Sequence, residues 1–307
     1  MDITALFNMM PGAAAQGLIW GIMAIGVYLT YKILDVADLT VDGTMCTGGA
    51  VFIMLTMAGV PMPLALLGSF LAGMLAGLAT GFFHTVCGIP AILAGILTQL
   101  ALYSVNLRIM GQANQPISFR NYDLLVSSRN VKSLSLENPI LIGVIFAAVI
   151  IALLYWFFGT ELGCSLRATG ANANMARAQG INTNVAKVLG LMLSNGLVAL
   201  SSALLAQYQG FADVNMGRGA IVIGLAAVII GEVLFSKIFH NFALLLLSVV
   251  IGSVLYYVVY NVVIWLGLNT DDMKLITALI VALFLSIPYW KGKYFSKSAK
   301  KGAASHA

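Results

Sequence analysis

The sequence predicts an all-α fold, a polytopic membrane helical bundle of about nine spans, with eight to ten as the range. Two observations lead there. Of the 307 residues, 60% are hydrophobic and only 9% are charged, whereas a soluble domain carries about 25% charged residues. The apolar residues also gather into stretches close to the roughly 20 residues that a bilayer-crossing helix needs. These are 13–33, 44–60, 63–83, 89–110, 139–158, 185–208, 218–236, 238–262 and 273–290. No soluble core absorbs that much apolar surface, so residues 1–290 are expected to form a single transmembrane domain.

Along the chain, Met1–Gly12 lacks a basic flank and no cleavage site interrupts the run from Ala13, so the first span is expected to be retained. The second span is short and glycine-rich, with Asp38 and Asp42 at its start. These carboxylates lie four apart, on one face if the helix begins early. They suit either contact with a substrate amine or hydroxyl, or the capping of a broken helix. In the third span Gly68, Ala72, Ala76 and Thr80 form a small-residue ridge for close helix packing. The fourth carries Gln99 and Asn106 at membrane depth. Residues 111–138 form a polar external loop too long to be a mere connector, with Pro116, Asn121, Ser127, Ser128 and Asn130. After an uninterrupted apolar span comes a second long polar segment, 159–184.

The later spans add Asn195, Gln207, Asp213, Asn215 and Glu232 to the polar groups at membrane depth, which are costly there and default to functional hypotheses. Asn195 and Gln99 also suit helix–helix hydrogen bonds, and Glu232, near a cytoplasmic helix end, suits snorkelling to water or pairing with Lys237. The span at 218–236 reads as partly re-entrant. His84 and His240 fall at span ends, and Trp156, Trp265, Tyr289 and Trp290 fit an interfacial belt. Residues 291–307 form a basic tail with Lys291, Lys293, Lys297, Lys300 and Lys301, a juxtamembrane flank and not a nucleic-acid patch. Cys46, Cys87 and Cys164 show no metal or CxxC spacing and read as small buried hydrophobes, so no metal site is expected.

With the tail in the cytoplasm, alternation puts the loops near 32–43, 84–88, 159–184 and 237 inside. Ten of the sixteen basic residues then lie inside, as the positive-inside rule asks. The N-terminus is expected outside. The odd span count permits two inverted halves around a central span. One echo fits this arrangement: Ala37-Asp38 precedes the Gly43, Gly48, Gly49 helix, and Ala212-Asp213 precedes the Gly217, Gly219, Gly224 helix.

The internal segment 159–184 has local signals of its own. Asn172 suits an N-cap, residues 173–179 favour a two-turn helix, and Gly180 suits a left-handed stop. Such a helix is about 10 Å long, too short to cross a membrane. Met175 with Ala171 and Ala178 makes a small apolar strip, and Arg167 and Arg177 are placed to pair with acids or lipid phosphates. A docking helix and a plain interfacial loop both fit these signals.

The string Leu166-Arg167-Ala168-Thr169-Gly170-Ala171-Asn172, followed by Ala176, Gly180 and Ile181, resembles the coupling-loop signature of one family of ABC importer permeases. That family serves branched-chain amino acids, ribose and related sugars, and nucleosides. Asp38-Leu39-Thr40-Val41 with Gly43 is similar to a segment of its sugar-type members. The glycine-rich stretch from Gly210 through Gly217 and Gly219 to Ile230-Gly231 is similar to another of its helices. The form Leu39-Thr40-Val41-Asp42-Gly43 looks most like a subfamily proposed to import tryptophan or tyrosine.

The resemblance implies a multi-pass subunit of the bacterial cytoplasmic (inner) membrane, with a second permease copy completing a homodimer. Separate ATPase subunits would dock on Arg167, Ala168, Gly170, Asn172, Met175, Ala176, Arg177, Gly180 and Ile181. An extracytoplasmic solute-binding protein would deliver substrate, with loop 111–138 as a landing site. Asp38, Asp42, Gln99, Asn106, Asn195, Asp213 and Asn215 are the substrate-path candidates. ATP would be bound by the partner, since the sequence has no phosphate-loop motif. No cofactor, no catalytic residue and no nucleic-acid partner is expected. An ion-coupled secondary transporter is the competing reading, against which mid-span charges are scarce. A membrane enzyme would need a catalytic constellation such as HExxH or GxSxG, and neither occurs.

Overall fold

The computed structural model describes residues 3–118, 122, 124–132, 138–235, 238–239 and 241–267, with 275, 278–279, 281–283 and 286 beyond them. The spanning helices are α1 (Ile3–Tyr28, continued by a π-helical turn, Leu29–Ile33), α3 (Met62–Thr85), α4 (Ala91–Met110), α5 (Pro139–Phe157), α8 (Thr183–Gln209) and α10 (Phe242–Trp265). These six are long and apolar enough to cross a membrane. Two expected spans are shorter: α2 (Val41–Met57) and α9 (Ala220–Phe235), of 17 and 16 residues. At 1.5 Å per residue each falls short of a hydrocarbon core about 30 Å thick. The expected ninth stretch, 273–290, and the tail 291–307 lie largely or wholly outside the described residues.

α1 and α8 are the central pillars, most of their residues buried inside the bundle. Both are followed by a break in the helix. After the π-helical turn, Asp35 adopts a left-handed φ of +52°, and residues 36–40 lead into α2. Asp tolerates this conformation better than most side chains. At the end of α8, Gly210 takes φ +80° as a left-handed cap whose N–H returns to the Ala206 carbonyl. The chain then runs through a short strand, β2 (Phe211–Asp213), before α9.

That strand pairs antiparallel with β1 (Asn114–Pro116), a two-stranded ribbon that helical periodicity gave no reason to expect. It ties the 111–138 segment to the end of α8, as does the Leu125 N–H donating to Gln207 Oε1 at 3.0 Å. A 3₁₀ turn at Ser128–Lys132 follows.

The helices pack through glycine. α3 lies along α8, and a Cβ on Gly73 or Gly77 would collide with the Asn195 or Leu191 carbonyl. Gly81 meets Val188 one turn further along. α1 packs on α10 in the same manner, Gly17 against Val254 and Gly21 against Val250. Gly231 of α9 and Gly252 of α10 bring a third pair of backbones together. Lipid offers no hydrophobic drive for helices to associate, so close backbone approach supplies the contact. Of the expected ridge, Ala76 and Thr80 are buried, whereas Gly68, which lies close to Leu55 of α2, and Ala72 are only half-buried. The tightest backbone contacts run one position on, through Gly73, Gly77 and Gly81. The opposite face of α3 presents Leu64, Leu67, Leu71, Leu75, Leu78 and Phe82, all exposed at helical spacing, as a lipid-facing stripe requires.

Of the cysteines, Cys46 is buried as expected, but Cys87 and Cys164 are exposed. Gly77→Ala is expected to destabilise the bundle by about 1–3 kcal/mol through overpacking against α8, seen as a lowered thermal midpoint of the detergent-solubilised protein. Leu78→Ala on the outer face should leave that midpoint nearly unchanged.

Candidate functional site

A helix that starts inside a bundle leaves its first backbone N–H groups without partners. α2 starts this way, because its first turn lies beside the middle of α8. Thr44 donates to Asn195 Oδ1 at 2.7 Å, and the Asn195 amide donates to Asp38 Oδ2 at 2.6 Å and to the Leu191 carbonyl at 3.0 Å. Asp38 Oδ1 accepts the Thr40 N–H at 2.9 Å. Asp38 is 2% exposed and Asn195 fully buried. Both carboxylate oxygens thus accept hydrogen bonds, and the α2 N-terminus adds a favourable dipole.

α9 starts beside the same point. Asp42, in the first turn of α2, accepts the Gly219 N–H at 3.0 Å and the Ile221 N–H at 3.0 Å. It caps α9 from another helix. Gly217 is required here, since a Cβ at this position would run into the Asp42 carbonyl. Two helix N-termini therefore meet in the interior of the bundle, each with its own carboxylate.

The remaining polar groups gather around the α2 first turn. Asn106 of α4 donates to the Gly43 carbonyl at 3.3 Å, and the Gln99 backbone lies against Gly43. Asn195 joins α8 to α2 by the hydrogen bond it accepts from Thr44, a helix–helix bond as expected, whereas Gln99 is half-buried and approaches through its backbone. A chain of buried hydroxyls joins three elements, Thr40 to Thr80 at 2.7 Å and Thr80 to Thr98 at 2.9 Å. Asp213 and Asn215 stand apart from this cluster. Asp213 accepts the Asn215 N–H at 2.6 Å within the segment that leads from β2 to α9, and Asn215 is exposed. So five of the seven substrate-path candidates come together. Of the threonines that complete the cluster, Thr40 reads in the sequence only as part of a motif and Thr80 as a packing residue, and Thr98 stands out in neither way. A threonine in an apolar helix normally bonds to the carbonyl one turn back, as Thr80 and Thr98 also do here.

The segment 159–184 holds two helices where one was expected: α6 (Glu161–Ala171) and α7 (Ala173–Ala178). Asn172 stands between them. Its N–H closes α6 on the Ala168 carbonyl, and its Oδ1 accepts the Met175 N–H at 3.0 Å to start α7. Gly180 takes the left-handed φ of +82°, Ile181 N–H returns to the Ala176 carbonyl at 3.0 Å, and Asn182 caps α8.

α6 is held to the spanning helices along its length. Gly163 sits on the backbone of Phe157 and Phe158, and Gly170 on the Ile33 carbonyl. The Arg167 guanidinium lies 4.3 Å from the centroid of the Phe242 ring and 5.2 Å from that of Phe158. Those rings pack edge to face at 5.0 Å. Arg167 was expected to seek an acid or a phosphate; the two rings, brought together only by the fold, provide a cation–π seat instead. Arg177 likewise bonds Thr183 at 2.7 Å through Nε, with no acidic partner among the described residues.

Ala176 is the buried residue of α7, while Met175, Ala171 and Ala178 face outward, as does Leu162 of α6. Close by, Lys32 forms an ion pair with Glu232 at 2.9 Å, the partner that reading along the chain had assigned to Lys237, which lies outside the described residues. His84, in the last turn of α3, has Nδ1 at 2.9 Å from the Ile89 carbonyl and Nε2 at 3.3 Å from Lys187 Nζ.

Residues 9–286 match the profile of the family described as "Branched-chain amino acid transport system / permease component". A tyrosine transport system permease protein of Clostridioides difficile is 41% identical over 272 residues, covering 88% of each chain. An uncharacterized protein of Rickettsia prowazekii is 35% identical over 283 residues, 91% of this chain and 97% of that one. Among solved structures, PsaBC from Streptococcus pneumoniae in complex with Fab shares the fold, with 16% identity, a TM-score of 0.54 and coverage of 95% of this chain and 100% of that one.

Asp42→Ala is expected to strip both caps from α9 and to destabilise by about 2 kcal/mol, the range for a lost cap or for unpaired buried donors. Asp42→Asn, which keeps one acceptor, should recover part of the loss. Thermal midpoints of the three purified proteins, measured side by side, check the order.

Proposed function

Because the chain belongs to the branched-chain amino acid transport system permease family, and so is a permease subunit of an ABC transporter, we propose that it works as an importer whose ATPases dock on the outer surface of α6 and α7. The observation that carries this reading is how the α6–α7 pair is built. Two capped helices are anchored to the spanning bundle at Gly163, Arg167 and Gly170, yet they turn Leu162 and Met175 outward, 56% and 63% exposed. Apolar side chains on a rigid cytoplasmic ledge favour a protein partner, and Met packs adaptably against one.

In this reading the expected docking set divides by task. Ala168 near the end of α6, and Met175, Ala176, Arg177, Gly180 and Ile181 in α7 and its edges, form or shape the contact surface. Arg167, Gly170 and Asn172 transmit its movement. Arg167 acts on the junction of α5 and α10 through Phe158 and Phe242. ATP is bound and hydrolysed in the partner, and a solute-binding protein delivers cargo from outside. A second permease copy completes the membrane path, with residues 1–290 as one domain, the N-terminus outside and the C-terminus in the cytoplasm of a bacterial inner membrane.

Packing supports an inverted repeat: α1 runs beside α10 as α8 runs beside α3, and each central pillar is followed by a short helix that starts inside the bundle. Transport is then alternating access about the meeting point of α2 and α9. Asp38, Asp42, Asn106 and Asn195 hold that point together with Gln99 beside them, while Asp213 and Asn215 stand outside it on the segment that leads from β2 to α9. The cargo is an aromatic or other amino acid, in keeping with the tyrosine transport relative.

The test is co-purification of a P-loop ATPase with the detergent-solubilised chain and ATP-dependent uptake of L-tyrosine. Met175→Asp and Leu162→Asp should abolish co-purification and lower uptake at least tenfold while leaving the thermal midpoint of the permease unchanged. Arg167→Ala should retain the ATPase but slow uptake. Uptake that survives ATP depletion and collapses with the ion gradient would replace this reading with an ion-coupled secondary transporter.

A further inference from the structure

Between α1, the segment leading into α9, and α10 lies a cavity of about 760 Å³, within the 300–1,000 Å³ typical of small-molecule sites. We propose that it is a holding site for the cargo inside a single copy of the chain, built for an aromatic amino acid. This rests on the importer reading above and adds the place and the chemical class of the ligand.

The lining is of two kinds. Trp20 of α1 and Tyr257 and Tyr260 of α10 form a ladder of rings, with centroids 5.8 Å apart for Trp20–Tyr257 and 5.9 Å for Tyr257–Tyr260. Their planes are inclined by 40° and 52°, and all three rings line the cavity, where a further aromatic group can pack against them. Around them stand Arg218, Gln16 and Asn261. An apolar packing gap is lined by aliphatic side chains and stays dry, and this one is not.

The charges select the ligand further. Among the described residues Arg218 forms no ion pair and no carboxylate lines the cavity. An anionic group is therefore favoured, and a guanidinium pairs a carboxylate through two parallel hydrogen bonds. A sugar brings no such charge. The Asn261 amide nitrogen is committed to the Tyr257 carbonyl at 3.0 Å, so its oxygen is the atom left to accept a bond from the ligand ammonium. The tyrosine rings offer the same cation their faces.

A second, smaller cavity of about 370 Å³ shares Gln16 and Asn261 with the first and reaches the 3₁₀ turn at Ser128–Lys132. It gives the site an approach from the side of the 111–138 segment. Trp20 and Gln16 lie four apart on α1, and Tyr257, Tyr260 and Asn261 lie three and four apart on α10. Each helix thus turns one face to the cavity.

Binding of tritiated L-tyrosine to the full chain in nanodiscs of phosphatidylethanolamine and phosphatidylglycerol tests the site, alongside ATP-driven uptake by the complete importer. L-tryptophan should displace the label, whereas L-leucine and ribose at the same concentration should not. Arg218→Gln and Tyr257→Leu should each weaken binding at least tenfold and raise the KM of uptake, and Tyr257→Phe, which keeps the ring, should bind as the wild type does. Photolabelling with 4-azido-L-phenylalanine should mark the 254–264 segment. If uptake is ATP-driven but neither variant changes binding or KM, and the label falls elsewhere, the holding site is overturned and the importer reading stands. The holding site is equally overturned if a phospholipid fills the cavity and L-tyrosine does not displace it. If L-tyrosine binds as described but uptake ignores ATP, the importer reading fails and the cavity stands.

Discussion

The bundle interior holds two helix beginnings, and a helix beginning within a bilayer has no water to satisfy its first N–H groups. Two carboxylates resolve this. Asp38 serves the entry to α2 and is held there by Asn195, and Asp42 reaches from α2 to the first N–H groups of α9. Each acid answers a backbone need that arises because the other element is present. Removing either partner leaves buried polar groups unpaired, and that asymmetry sets the cost of substitution here more than the strength of any one hydrogen bond.

The rest of the architecture follows from bringing those ends together. For α2 to start beside the middle of α8, the backbones must come close, and Gly48 meets the Ala199 backbone while Gly73 and Gly77 let α3 lie against α8. On the other side Gly17 and Gly21 admit α10 to α1. Larger side chains at these points would hold the pillars apart and pull the α9 N-terminus away from Asp42. Close packing and buried polar satisfaction are therefore one constraint in this chain, expressed once through glycine and once through carboxylates.

At the polar end the same economy appears in α6. Gly163 and Gly170 admit it to the ends of α5 and α1, and Arg167 fixes its roll against Phe158 and Phe242. With those contacts made inward, Leu162 and Met175 are what α6 and α7 present outward. Gly163, Arg167 and Gly170 thus tie this pair of helices to the ends of α1, α5 and α10.

The sequence by itself determined the helical membrane class, the extents of the long helices after α1 to within a few residues, and the caps at Asn172 and Gly180, whereas α1 begins ten residues before its expected start. Those features depend on local periodicity, on the length a bilayer demands, and on residues whose own backbone preferences mark a helix end. It also drew attention to Asp38, Asp42, Asn106 and Asn195, because charge and amide at membrane depth are conspicuous against apolar surroundings. Only the tertiary structure decided which of these touch. Asp42 and Gly219 are separated by most of the chain, as are Asp38 and Asn195, Lys32 and Glu232, and Trp20 and Tyr257. Nothing local encodes such pairings. They are selected by which helix faces can approach closely enough to satisfy every buried polar group at once, and that is a property of the assembled bundle.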